Sequence, residues 1–188
     1  MKNKWDTPTL DSDGKQLKMY TQWAAMMLRS RFQTYAENVV IDDRFKSYDY
    51  FIDWAKNQKG WLHTEDSGRL WALDKDIVGD GSIYSPEVCV FVPAVINNFN
   101  IKSLDHSLPR CVSKTPSGNY IGRMKMFGKR KSLGTYNTIQ EATESVVSAK
   151  LKYIDTLDEM YSKLLDERVI PNLRKNTMEI FLQYVGEA

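Results

Sequence analysis

Gly118 to Ala142 reads GNYIGRMKMFGKRKSLGTYNTIQEA, and its periodicity decides how the C-terminal half of the chain folds. Tyr120, Gly122, Met124 and Met126 alternate with Ile121, Arg123, Lys125 and Phe127. A period of two is the mark of a strand with two unlike faces, so Arg123 and Lys125 point to one side and the methionines to the other. Gly128-Lys129-Arg130 is expected to turn the chain, and Lys131 to Tyr136 to return it as the hairpin partner. Thr138-Ile139-Gln140-Glu141 has capping-box spacing, so a helix begins there. Ala142, Val146, Ala149, Tyr153, Leu157, Met160 and Leu164 give that helix a long apolar stripe.

The same region is electrically one-sided. Between His106 and Gln140 stand Arg110, Lys114, Arg123, Lys125, Lys129, Arg130 and Lys131, with no Asp or Glu among them. The chain's net charge is +2, so these seven cations leave the remainder near −5. Arrayed Lys and Arg are rewarded by arrayed phosphates, which makes nucleic acid the natural partner.

Working outward, the bulk properties exclude several classes. Apolar residues make up 42% of the 188 residues, enough to bury a core and to set disorder aside. No run of about 18 apolar residues exists, so no membrane-spanning helix is expected. The polar stretch Met1 to Asp13 has no signal-peptide core. Cys89 and Cys111 fit a reducing cytoplasm and, with only His63 and His106 to help, do not build a structural zinc site.

Upstream, Leu17, Tyr20, Trp23, Ala24, Met27, Leu28 and Phe32 recur at helical steps, with Arg29 and Arg31 on other faces. Tyr48, Phe51, Ile52 and Trp54 suggest a shorter helix ending near Gly60. Both aromatic stripes read first as core packing. Leu70 to Ile77 is a short apolar run ending in charge, and Gly79-Asp80-Gly81 is a turn. Cys89 to Val92 is a second short strand, and Pro93 opens a helix carrying Asn97 and Asn98. Leu108 to Gly118, with Pro109 and Pro116, is the best linker candidate. Pro171 interrupts the C-terminal helical pattern, leaving Leu173 to Tyr184 as a last short helix.

The run Leu73-Asp74-Lys75-Asp76-Ile77, then Tyr84 to Pro93, then Asn97, resembles the phage branch of HNH (His-Me finger) endonucleases. Tyr20, Trp23, Met27, Arg31 and Phe51-Ile52-Asp53-Trp54 resemble the segment that precedes the motif in those proteins. The resemblance implies a strand-loop-strand-helix unit gripping Mg²⁺ or Mn²⁺, with Asp74 and Asn97 as ligands. Lys75 falls at the place of the family's His base, and Val88 at the place of its middle Asn. An ordinary Lys, with a pKa near ~10.4, is protonated at neutral pH and cannot accept a proton. Protonated, Lys75 could still bind the scissile phosphate, and Asp76 could supply a second carboxylate. Without the family, Asp74 and Asp76 read as turn-forming residues at a strand end. Neither His63 nor His106 sits at the motif position.

Gly118 to Arg123, then Lys131 to Thr138, then Glu141-Ala142 resemble the APETALA-type (ethylene-response-factor) DNA-binding domain. That resemblance implies three antiparallel strands on one helix, with the first strand around Arg110 to Lys114. It also implies that Arg123, Lys125, Lys131 and Arg110 face duplex DNA. The two resemblances together run from about Tyr20 to Ala149.

The expectation is thus an α+β protein. A helical segment plus HNH-like unit occupies 14–107, an APETALA-type unit 108–150, and C-terminal helices 151–188. The partner is double-stranded DNA in a host-cell cytoplasm. The chain either cleaves DNA with a metal ion, or binds without cutting, as a regulator or an inhibitor of a host nucleic-acid enzyme. The C-terminal helices could instead serve a homodimer or a host protein partner.

Overall fold

In the computed structural model, residues 4–29, 39–99 and 108–185 are described. Arg31, Phe32 and His106 lie outside them. Two compact units emerge, one of Met1–Asn97 with Leu164–Val169, the other of Asn98–Lys163 with Ile170–Ala188. The architecture is mixed α+β.

The first unit begins with α1, Lys18–Arg29. Its buried face centres on Trp23 and Met26, whereas Leu28 is half-exposed. The apolar stripe read from the sequence is therefore rotated by about one residue, because the partner surface, not the helix, selects the face. Asp42 accepts from the Arg44 backbone to start a 3-10 turn, and Ser47 accepts from the Tyr50 N–H to start α2, Tyr48–Ala55. That helix stops at Ala55, and the chain reaches Gly60 through turns.

Strand β1, Val40–Ile41, pairs in parallel with β3, Ile83–Tyr84. Strand β2, Ala72–Asp74, pairs antiparallel with β4, Val90–Val92, in the register Leu73 opposite Phe91 and Asp74 opposite Val90. One helical turn, α3 (Ala94–Asn97), follows β4 and packs on β2. Asn98 lies just past its end.

Aromatic rings fill this unit. Trp54 lies 4.7 Å from Phe45 and 5.8 Å from Phe91, and Trp61 lies 5.3 Å from Phe91. Both aromatic stripes are thus at work in packing, which ties the α2 segment to the β2–β4 pair.

The second unit is built on three antiparallel strands in the order β5 (Val112–Lys114), β6 (Tyr120–Met126), β7 (Lys129–Tyr136). Strand β5 lies inside the stretch expected to be a linker. Its prolines do not prevent this, since Pro109 and Pro116 fall outside the three paired residues.

The β6–β7 turn is Phe127-Gly128, not Gly128 to Arg130. Both turn residues have positive φ, 46° and 77°. That is the backbone twist a two-residue hairpin needs, and it leaves Lys129 and Arg130 in the strand. Phe127 tolerates it because its ring meets Tyr153 edge-on at 4.9 Å and its N–H donates to the Tyr153 hydroxyl.

Helix α4, Ile139–Tyr161, closes the far side of the sheet. Its capping box forms as expected. Thr138 Oγ1 accepts from the Glu141 N–H and the Glu141 carboxylate from the Thr138 N–H, each at 3.2 Å. Ala142 and Val146 pack with Val112, Leu133 and Tyr136. Helix α5 spans Val169–Val185 and includes Pro171. Pro171 is the third helical residue, where no intrahelical N–H bond is required, so it opens the helix and does not interrupt it.

Candidate nucleic-acid interface

Directly opposed residues of an antiparallel pair project to the same face of the sheet. Register therefore sorts the seven cations. Arg123 stands opposite Ser132, and Lys125 opposite Arg130. With Ile121 opposite both Ser113 and Thr135, these residues make one face. Arg123, Lys125, Arg130, Ser113, Ser132 and Thr135 are all exposed.

Lys131 stands opposite Met124, Lys129 opposite Met126, and Lys114 opposite Tyr120. These three start from the helix-packed side and remain exposed. Lys131, expected beside Arg123 and Lys125, is therefore on the other register. Arg130, expected in the turn, joins them instead. Reading Phe127-Gly128 as a two-residue turn would have found it. Arg110 precedes β5 and is half-buried. Lys114 lies 5.9 Å from the Tyr120 ring centroid.

A bulge gives the face its shape. Gly122 pairs with Gly134 but Arg123 with Ser132, so Leu133 is the extra residue. Leu133 and Gly134 both fall on the α4 side, and the alternation resumes with Thr135 on the cationic face. Gly134, at φ 131°, is required twice over. A Cβ there would also stand 2.6 Å from the Tyr136 hydroxyl. That hydroxyl donates to the Leu133 carbonyl at 2.6 Å and is bonded to the Ser145 hydroxyl at 2.7 Å, fastening the bulge to α4.

The electrostatics are uncompensated. Among the described residues, Arg123, Lys125, Lys129, Arg130 and Lys131 form no ion pair with a carboxylate. Lys125 and Arg130, like charges directly opposite one another, cost the hairpin roughly a few tenths of a kcal/mol.

The other constellation lies in the first unit. Asp74 ends β2 and is 5% exposed. Its Oδ1 accepts from the backbone N–H groups of Asp76 and Ile77 at 2.8 Å each. Burial pushes its carboxyl up to about 6, against the pull of those two bonds. Lys75 Nζ donates to Asp76 Oδ1 at 2.8 Å and sits 5.4 Å from the Tyr84 ring centroid. Asn97 is half-buried at the end of α3, and Val88 brings no polar atom. His63 is exposed and stacks 5.2 Å from Trp71.

Mg²⁺ and Mn²⁺ want several oxygen ligands of net negative charge. Here one Asp74 oxygen is taken by amides, and the neighbouring Asp76 is neutralised by an ammonium. Among the described residues no group of three or more His, Cys, Asp or Glu side chains stands together to hold a metal. Lys75 Nζ is engaged with the Asp76 carboxylate, and the two expected ligands, Asp74 and Asn97, stand at the ends of β2 and α3.

No protein-family model, no curated protein and no solved structure matches the chain.

Proposed function

We propose that this protein binds double-stranded DNA without cutting it, using the β5–β6–β7 face that carries Arg123, Lys125 and Arg130. One observation carries the reading. Lys125 faces Arg130 across the hairpin, on a rigid sheet, with no acid between them. Such a pair is unfavourable until an anion meets it. Residues two apart on a strand are about 7 Å apart and neighbouring strands about 5 Å, so the cations form a fixed grid. Duplex DNA, with one charge per about 1.7 Å of axis, offers a matching anion. Ser113, Ser132 and Thr135 add hydrogen-bond donors to the same face, and Arg123 is the candidate for base contact. A protein that occupies duplex in this way acts as a regulator or blocks enzymes that need the same site.

The test combines charge reversal with a cleavage assay. Arg123→Glu with Lys125→Glu should weaken duplex binding by about a hundredfold or more in fluorescence anisotropy at low salt, with the melting temperature kept. Unchanged affinity would sink the reading. Supercoiled plasmid with Mg²⁺, with Mn²⁺ or with EDTA should shift on a gel and stay intact. Metal-dependent relaxation that Asp74→Ala abolishes would instead establish an endonuclease, with Asp74 and Asn97 as its ligand pair.

A further inference from the structure

The first unit contains an open groove of about 410 Å³, with α1 on one side and the chain from Gly68 to Leu73 on the other. The two walls match in length. Lys18 and Arg29, the lining residues at the two ends of α1, are eleven helical steps apart, or about 16 Å. On the other wall Leu70 is bridged to Thr64 and Ala72–Asp74 is β2, so most of it is extended chain. Five extended steps from Gly68 to Leu73 span up to about 16 Å as well. The walls also run in step. Lys18 Nζ donates to the Gly68 carbonyl at 3.0 Å, and one turn later Gln22 Nε2 donates to the Trp71 carbonyl at 2.7 Å. At the far end of α1, Arg29 Nη1 donates to the Tyr84 hydroxyl at 3.3 Å. The groove is therefore long and lies along both walls.

Its charge is divided between its two ends. Lys18 holds the Gly68 carbonyl, and Arg69 is the next residue along, so both belong to one end. Arg29 belongs to the other. All three are exposed, and no carboxylate is among the lining residues. Among the described residues none of the three is in an ion pair. Lys18 and Arg29 still have further N–H groups to offer. Between the ends the lining is neutral: Thr21, Gln22, Ala25 and Ala72, with Met26 and Leu73 buried.

We infer that this groove docks an extended acidic peptide of a partner protein, with one carboxylate at Lys18 and Arg69 and a second at Arg29. An extended chain rises about 3.3 Å per residue, so about five residues cover the groove. Residues four apart lie on the same side of such a chain, about 13 Å from one another, and the long side chains of both partners bridge the remainder. Small neutral residues of the peptide then fit between the charged ends, beside Ala25 and Ala72. A single small anion reaches one end and leaves the other unmet. A single nucleic-acid strand needs aromatic faces for its bases. The aromatic residues that line the groove, Trp71 and Tyr84, are each only 4% exposed. The inference stands apart from the cationic sheet, which belongs to the other unit.

The experiment is fluorescence anisotropy on the full chain at low salt. The probes are dye-labelled, end-capped peptides of Thr, Val and Ala carrying two Asp residues two, four or six positions apart, with a short oligodeoxythymidylate beside them. The four-apart peptide should bind with a dissociation constant below about 1 mM and more tightly than the other two. Arg29→Glu and Arg69→Glu should each weaken it by about tenfold or more, with the melting temperature and the duplex shift kept. A peptide with Lys in place of both Asp should bind the doubly reversed chain better than the parent, a rescue that a misfolded variant does not give. Thr21→Trp, which fills the groove from α1, should abolish binding, and Arg123→Glu with Lys125→Glu should leave it unaltered. The inference is overturned if no acidic peptide binds, if the Asp spacing makes no difference, or if the charge exchange gives no rescue. An oligodeoxythymidylate that binds and is lost with Arg69→Glu and Thr21→Trp, where the peptides do not bind, would overturn it in favour of a single strand.

Discussion

Asp74 is a carboxyl group kept where its charge is costly. Its folded pKa of about 6 lies above the ordinary value of 3.8. Between those values the folded state still holds a proton that the unfolded state has released. Stability therefore falls as pH rises from about 4 to about 6, and the loss is complete above that window, at a cost of about 3 kcal/mol. Asn at this position keeps an oxygen for the Asp76 and Ile77 N–H groups and carries no charge. Asp74→Asn should thus raise the melting temperature at pH 7 by several degrees and flatten its decline between pH 4 and 6. A variant that melts lower than the parent at pH 7 would mean that the carboxylate is needed as an anion, for instance by a metal ion. The resemblance marked Asp74 as a ligand, but only its burial and its two amide donors show what the side chain does in the fold. Lys150 carries the same lesson with the opposite sign. This residue, on α4, is 4% exposed and its amine pKa is lowered by burial.

The β6–β7 hairpin and α4 were the most legible elements, because alternation, turn residues and a capping box are local signals. Thr138→Ala should cost about 1 kcal/mol in urea unfolding by removing the cap. The bulge was not legible. Gly134→Ala should cost about 2 kcal/mol, since it forces a left-handed φ on a residue with a Cβ and drives the Tyr136 hydroxyl off Leu133 and Ser145. A change smaller than that of Thr138→Ala would show that the bulge relaxes freely. The variant should also weaken duplex binding, because the bulge sets the phase between Ser132 and Thr135 on the cationic face. The expected turn at Gly128 to Arg130 missed Arg130 for a related reason. A turn one residue earlier swaps the face of every side chain that follows it.

At the scale of the molecule, a segment of +7 sits in a chain of net +2. If Arg123, Lys125 and Arg130 each neutralise one phosphate, the logarithm of the duplex association constant should fall against the logarithm of salt with a slope of about −3. Replacing all three by Ala should bring the slope toward zero. A parent slope shallower than about −1 would exclude the sheet as the main duplex contact. Among the described residues no helix is long and apolar enough to cross a membrane.

By itself the sequence determined the α+β class, the strand alternation, the Thr138 capping box and the concentration of positive charge. Each depends on residues within a few positions of one another, so it survives without knowledge of the rest of the chain. The tertiary structure alone decided the parallel pairing of Val40–Ile41 with Ile83–Tyr84 and the burial of Asp74 and Lys150. Those features join segments distant in sequence, and packing between distant segments leaves no periodicity for a local pattern to reveal.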